Sequence, residues 1–213
     1  MRKTRVLLAD DHQIVLEGLK NLLEPEFELV GTVTDGRALV NEALKLNPDV
    51  IVVDISMPLL NGIEAVRQIR KTEERIKVVF LTMHPDASYA AMAFDAGASG
   101  YVLKNSASRE LITAIGEAMK GRTYVTPMIA GELLQTYKKS RPGEKKYKKK
   151  LTHRQEEILQ LLAEGLSAKE IADRLSISPR TVETHKYNML QELNLNTTAD
   201  LIKFAIKHGL TSI

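Results

Sequence analysis

Five polar residues stand at the ends of apolar runs, where their side chains could meet and do chemistry. Asp10 and Asp11 follow Arg5–Ala9, Asp54 follows Val50–Val53, Thr82 closes Val78–Thr82, and Lys104 follows Tyr101–Leu103. A single acidic residue at such a place is ordinarily a solvated loop residue; five matched groups at the ends of four runs are not. Three carboxylates crowded together repel unless a cation neutralises them, and hard oxygen ligands completed by water suit Mg²⁺. An ammonium and a hydroxyl beside them match the oxygens of a phosphoryl group. The chemistry implied is attack by a carboxylate oxygen on phosphorus, with the cation spreading the charge.

Those residues meet only if the runs become neighbouring strands. Arg5–Ala9, Phe27–Val33, Val50–Val53, Val78–Thr82 and Tyr101–Leu103 are short, apolar and partly β-branched, as strands covered on both faces should be. Helical patterns lie between them. The first puts Val15, Leu16, Leu19, Leu22 and Leu23 on one face, and the second Ala38, Leu39, Ala43 and Leu44. A third carries Ile63, Val66, Ile69 and Arg70 after Gly62. A fourth spans Ser88–Ala96, and a fifth Ser108–Lys120 begins at a serine cap and ends at Gly121. Five βα units in sequence predict an open, parallel, doubly wound α/β sheet whose working site lies at the carboxyl ends of its central strands.

The last third has no strand signal. Thr152 and Gln155 form a capping-box pattern ahead of Ile158, Leu159, Leu161 and Leu162, and Ser167 with Glu170 repeats it ahead of 168–175. Ser178-Pro179 starts a longer helix to about Leu193, and Thr198 caps a final one that Gly209 terminates. Two helices joined by a tight turn, SAKEIADRLSISPRTVETHK, make a helix-turn-helix. Val182, His185, Met189 and Leu193 share its packing face, while Arg180, Glu183, Thr184, Tyr187 and Asn188 fall on the face that would enter a major groove.

Composition narrows the field. The 213 residues carry no cysteine, which excludes disulfides, thiolate metal sites and cysteine nucleophiles together. No apolar run approaches a membrane span, and the start MRKTRVLLADDH turns acidic where a signal peptide would stay apolar, so a cytoplasmic location is expected. The net charge of +3 is unevenly spread: residues 1–137 sum to −3, 138–150 to +7 and 151–213 to −1. The basic stretch KKSRPGEKKYKKK is expected to be a solvated linker, giving domains at 1–122 and 151–213 joined by a connecting helix and basic linker at 123–150.

ADD (9–11), VDISMPLLNG (53–62), LT (81–82) and GYVLK (100–104) resemble the receiver domain of bacterial two-component response regulators. The likeness implies a flavodoxin-like (βα)5 fold in which Asp54 accepts the phosphoryl group. It implies that Asp10, Asp11, Asp54 and the Ser56 carbonyl hold Mg²⁺, Asp10 mostly through water, and that Lys104 pairs with the acceptor. Thr82 and Tyr101 would be the switch pair, the ring following the hydroxyl inward. His84, like Ser56, lies at a position thought to tune loss of the phosphoryl group. The helix-turn-helix half resembles the NarL/FixJ/LuxR module, a small all-α four-helix domain, across nearly all of 151–213. By position Glu183, Thr184 and Tyr187 match base-contacting places, and Arg180, Lys186 and Asn188 could reach bases or phosphates. The final helix, Thr198–His208, resembles the element through which such domains pair.

Together the two resemblances imply a DNA-binding response regulator. A sensor histidine kinase would phosphorylate Asp54, and phosphorylation would control homodimerisation and promoter binding. A phosphohydrolase is disfavoured, since Ser56 stands where an aspartate-nucleophile hydrolase of the haloacid dehalogenase type would want a second acid, so no turnover beyond phosphorylation and dephosphorylation of Asp54 is expected. A DNA-binding half with charge −1 lacks the usual basic footprint, and the Lys-rich stretch is expected to supply phosphate contacts.

Overall fold

The computed structural model describes residues 2–139, 151–207 and 210. Six strands, β1 (Arg5–Ala9), β2 (Glu28–Val33), β3 (Val50–Val53), β4 (Lys77–Thr82), β5 (Gly100–Leu103) and β6 (Tyr124–Val125), form one parallel sheet in the order β2-β1-β3-β4-β5-β6. The sheet carries α1 (Gln13–Leu23) and α5 (Ala107–Met119) on one face. Helices α2 (Gly36–Leu46), α3 (Gly62–Arg70), α4 (Ala87–Asp95) and α6 (Pro127–Lys139) lie on the other. Strands β1, β3, β4 and β5 are apolar on both faces because each is covered twice, which is why their runs are continuous rather than alternating.

The two faces make separate cores. Leu7, Ile51, Phe80 and Tyr101 point toward α2–α4, while Leu8, Val52, Leu81 and Val102 point toward α1 and α5. A third core lies in the all-helical half, where Ile158, Leu161, Ile171, Val182, Met189 and Leu201 are fully buried. They come from α7 (His153–Ala163), α8 (Ala168–Leu175), α9 (Pro179–Leu193) and α10 (Thr198–Lys207). Both capping boxes form as the spacing demands, at Thr152 with Gln155 and at Ser167 with Glu170. Ser178 caps α9 ahead of Pro179, and the left-handed Ser176 and Asn194 close α8 and α9.

Several local expectations need correction. The two-residue β6 was not foreseen; too short to carry a periodic signal, it exists because Tyr124 and Thr126 donate to Ser99 and Tyr101 carbonyls at the open edge of β5. Helix α5 starts at Ala107 after a 3₁₀ turn over Lys104–Ser106, and Ser108 does not cap it. Helix α4 starts one residue earlier, at Ala87, because Asp86 caps it and accepts from the Ser88 amide. Thr197 rather than Thr198 caps α10, in a reciprocal pair with Asp200. Leu44 lies on the solvent side of α2. The basic stretch from residue 140 to 150, and His208 and Gly209 at the end of α10, lie outside the described residues. Among the described residues no helix is long and apolar enough to cross a membrane.

Two glycines are fixed by close approach near the strand ends. A Cβ on Gly36 would stand 1.8 Å from the Leu60 carbonyl oxygen, and one on Gly62 would stand 2.0 Å from that of Asp54. Gly116, in the middle of α5, has open space instead. Gly36→Ala should therefore destabilise the sheet domain by about 2 kcal/mol or more. Gly116→Ala should stabilise it by about 0.5–1 kcal/mol. Urea unfolding of both variants against the parent checks the opposite signs.

Candidate functional site

The site begins with strand register. Ala9 of β1 pairs with Val53 of β3, so the residues that follow them, Asp10 and Asp54, leave the sheet side by side. The Asp54 amide donates to the Ala9 carbonyl at 2.9 Å and locks that alignment. Leu103 of β5 pairs with Thr82 of β4, which places Lys104 one strand further along at the same end. Its ammonium reaches back to Asp10 Oδ2 at 2.6 Å and Asp54 Oδ2 at 2.7 Å. Asp54 Oδ1 accepts from the Ile55 amide at 2.7 Å.

Charge decides what this cluster wants. Asp10 and Asp54 are buried, at 1% and 5% exposure, and Asp11 is half-buried beside them. Burial pushes the Asp54 carboxyl above the ordinary carboxylate range, Lys104 pulls it down, and Asp10 pushes it up again. Burial alone would lower the Lys104 ammonium, but Asp54 and Asp10 reverse this and hold it above the usual lysine range. Two buried carboxylates thus share one ammonium, and negative charge is left over. Among the described residues, Asp10 Oδ2 and Asp11 Oδ1 meet the nitrogens of Lys104 and His12 without a well-aligned hydrogen bond. An all-oxygen donor set with surplus negative charge fits a hard divalent cation.

The remaining predicted residues gather around His84. Its ring meets Ser56 Oγ at 2.9 Å and stacks on Tyr89 with centroids 4.4 Å apart. Its amide donates to Thr82 Oγ1 at 3.2 Å, and its carbonyl accepts from the Tyr101 hydroxyl at 2.8 Å. Thr82 and Tyr101 are therefore joined through one residue, and the Tyr101 ring lies fully inside the protein. Burial lowers the His84 imidazole and raises the Tyr101 phenol, which favours the neutral form of both. His12 occupies the cap position of α1, with its ring 2.8 Å from Asp11.

The predicted helix-turn-helix residues lie far along the chain, all but the half-buried Lys186 on one exposed face. Arg180, Glu183, Thr184, Tyr187 and Asn188 are solvent-facing on α9, and His185 is half-buried toward the packing side. Lys186 Nζ is 3.1 Å from Glu183, and Thr184 Oγ1 donates to the Arg180 carbonyl. The structure does not bring this face to the carboxylates.

Sequence reasoning missed a second set of polar residues, which joins the two halves. Gln160, fully buried on α7, donates to the Met57 carbonyl at 2.8 Å and accepts from the Asn61 amide at 2.8 Å. Glu164 accepts from the Leu59 amide at 3.1 Å, and Glu157 takes Arg37 and Gln68. His153 pairs with Glu64, and Arg67 lies between Glu64 and Glu156. One signal was available: Gln160 interrupts the apolar run Ile158–Leu162, where a helix packing only on its own module would carry another aliphatic side chain.

The raised Asp54 carboxyl ties the stability of the fold to pH. An acid whose folded pKa lies above its unfolded value binds more protons in the folded state, so it costs stability as pH rises above about 4. In chelator-treated buffer Asp54→Asn should therefore be more stable than the parent at pH 7. The gap should narrow as pH falls toward 4, as urea titrations at both pH values would read.

Two family models match the chain. "Response regulator receiver domain" covers residues 6–116, and "Bacterial regulatory proteins, luxR family" covers 149–205. Transcriptional regulatory protein DegU of Brevibacillus brevis is 37% identical, over 99% of this chain and 96% of its own length. Response regulator UvrY of Escherichia coli is 32% identical, over 96% and 94%. A solved structure of the RcsB response regulator of Salmonella typhimurium aligns along the full length of both chains, with 28% identity and a TM-score of 0.67. Another, of RcsB from Salmonella enterica serovar Typhimurium bound to a promoter with a phosphomimetic, does so with 28% identity and a TM-score of 0.62. With a receiver fold ending in paired aspartates and a LuxR-type helix-turn-helix behind it, the chain belongs to the NarL/FixJ family of two-component response regulators, which regulate transcription.

Proposed function

We propose that Asp54 accepts a phosphoryl group from a sensor histidine kinase, and that this controls dimerisation and binding to double-stranded promoter DNA. The observation that carries it is the buried pair Asp10 and Asp54 sharing Lys104 at 2.6 and 2.7 Å, in a chain that also exposes the outer face of α9. The domains are taken as 1–122 for the receiver, 123–150 for connecting helix and linker, and 151–213 for DNA binding. A cytoplasmic location accords with these roles.

In the transfer step an Asp54 oxygen forms a bond to phosphorus as the bond from phosphorus to the donor imidazole nitrogen breaks. The product is an acyl phosphate, and the donor leaves as a neutral histidine after taking a proton. Lys104, already on Asp54 Oδ2, is placed to follow the negative charge from carboxylate to phosphoryl oxygen. Thr82 supplies a hydroxyl at the end of β4, linked through His84 to Tyr101. Asp10, Asp11, Asp54 and the Ser56 carbonyl would hold Mg²⁺, which supplies charge neutralisation at the phosphoryl oxygens. Ser56 and His84 stand where they would govern water approach and so the lifetime of the acyl phosphate. No other reaction is assigned to the chain.

On α9, Glu183, Thr184 and Tyr187 would read base edges, with Arg180, Lys186 and Asn188 contacting bases or phosphates. Pairing of two chains through α10 would place two such helices on half-sites one helical turn apart or a multiple of it. Sedimentation and promoter footprinting with Mg²⁺ and beryllofluoride test the scheme. Dimer fraction and half-site protection should rise in the parent and stay flat in Asp54→Ala. An equal response in both proteins would remove Asp54 as the switch.

A further inference from the structure

We propose that Gln160 is a positioning residue for phosphorylation: reaching from the DNA-binding half, it fixes the backbone of the loop that leaves Asp54. The inference rests on Asp54 being the acceptor. The loop from Ile55 to Asn61 joins β3 to α3, and it carries the Ser56 carbonyl read as a metal ligand. Within it Pro58 accepts from the Leu60 and Gly36 amides, and Gly62 closes back on Ile55. Three further backbone groups turn outward instead, and Gln160 of α7 and Glu164 at its end receive all three.

The Met57 carbonyl needs a donor and the Asn61 amide needs an acceptor, and the single carboxamide of Gln160 provides both at 2.8 Å. Its other lone pair faces Asn61 Nδ2 and its other N–H goes to Glu164 Oε1 at 2.8 Å. The buried amide is thus satisfied on every side, which fixes its orientation as well as its position. Glu164 holds the Leu59 amide, and Leu59 sits at φ 67, a left-handed conformation costly for a leucine. Such a conformation persists when its surroundings over-determine it, and here part of that support comes from the other half of the chain.

The polar contacts between the halves, among the described residues, come from α7 and Glu164 at its end. The outer face of α9 takes no part and remains in solvent. The docked arrangement therefore leaves the reading helix open while it holds the acceptor loop. What docking governs is the phosphorylation site. By linkage, whatever favours the ordered loop also favours docking.

The test uses the full-length chain as parent, Gln160→Glu and Arg37→Ala. Gln160→Glu keeps size and acceptor but sets an oxygen against the Met57 carbonyl. Arg37→Ala removes the Arg37–Glu157 docking pair, whose side chains make no hydrogen bond to the loop backbone. Mg²⁺ affinity is measured by calorimetry, amide hydrogen exchange is read over residues 55–62, and phosphorylation by acetyl phosphate is followed against Mg²⁺ concentration. Losing one such hydrogen-bonding pattern should weaken Mg²⁺ binding about threefold to tenfold in Gln160→Glu, with a smaller shift the same way in Arg37→Ala. Loop exchange should quicken, and the phosphorylation rate at saturating Mg²⁺ should stay within about twofold of the parent, as expected when ordering rather than chemistry is lost.

Parent-like Mg²⁺ affinity and loop exchange in Gln160→Glu overturn the proposal while leaving Asp54 as acceptor. A parent chain that acetyl phosphate does not modify overturns the acceptor assignment and the proposal with it. If Gln160→Glu fails to fold, Arg37→Ala carries the test, and parent-like values there overturn the proposal.

Discussion

Two carboxylates held against one ammonium at the end of a parallel sheet is the constraint around which the receiver half is built. Burying Asp10 and Asp54 costs free energy that neither hydrogen bonding to Ile55 nor the nearby His12 recovers alone. The parallel register of β1 and β3 makes their closeness unavoidable, and β5 places Lys104 where it touches both. A cluster left with excess negative charge is poised to gain from any cation that enters. With Asp54 as the proposed acceptor, its pairing with Lys104 would also change on phosphorylation. Here the energetic penalty and the function share one cause.

The loop after Asp54 has correspondingly little freedom. Gly62 lies against the Asp54 carbonyl and Gly36 against that of Leu60, so α2 and α3 close on it from the sheet side. From the other side α7 brings Gln160 and Glu164. Between those two walls Leu59 accepts a left-handed backbone that a freely solvated leucine would avoid. A segment so enclosed has few alternatives, and interfaces of this kind pass from one packing to another rather than deform gradually.

The legible part of the molecule was the part written in periodicity and local chemistry. Continuous apolar runs gave away β1, β3, β4 and β5, and the residue at or just past the end of each run pointed to the candidate site because a strand's end is also where its loop begins. Thr152 with Gln155 and Ser167 with Glu170 located two helix starts to the residue, since a capping box is a contact between positions three apart. Features depending on distant partners were hidden. The edge strand β6 needs β5 beside it, and Thr197 caps α10 only because Asp200 answers it. Gln160 reads as a polar lapse in an apolar run until Met57 and Asn61, about a hundred residues earlier, are brought to it.

Helix α9, the proposed reader of DNA, makes its own demand on the rest of the chain. Lys186 on α9 is engaged by Glu183, leaving Arg180 as the cation of the outer face without a carboxylate partner among the described residues. A surface so weakly positive gathers little binding free energy from phosphates, whose contribution scales with the number of cations that displace counterions. Affinity must then be assembled from elsewhere: a second copy of the helix held at a fixed spacing, or the run of lysines between the halves. Both sources depend on where the helical half is relative to the receiver. Under the proposed scheme, a module whose outer face carries so little charge would be sensitive to what it docks on, because a modest change in the docked population alters how often two copies reach the same duplex.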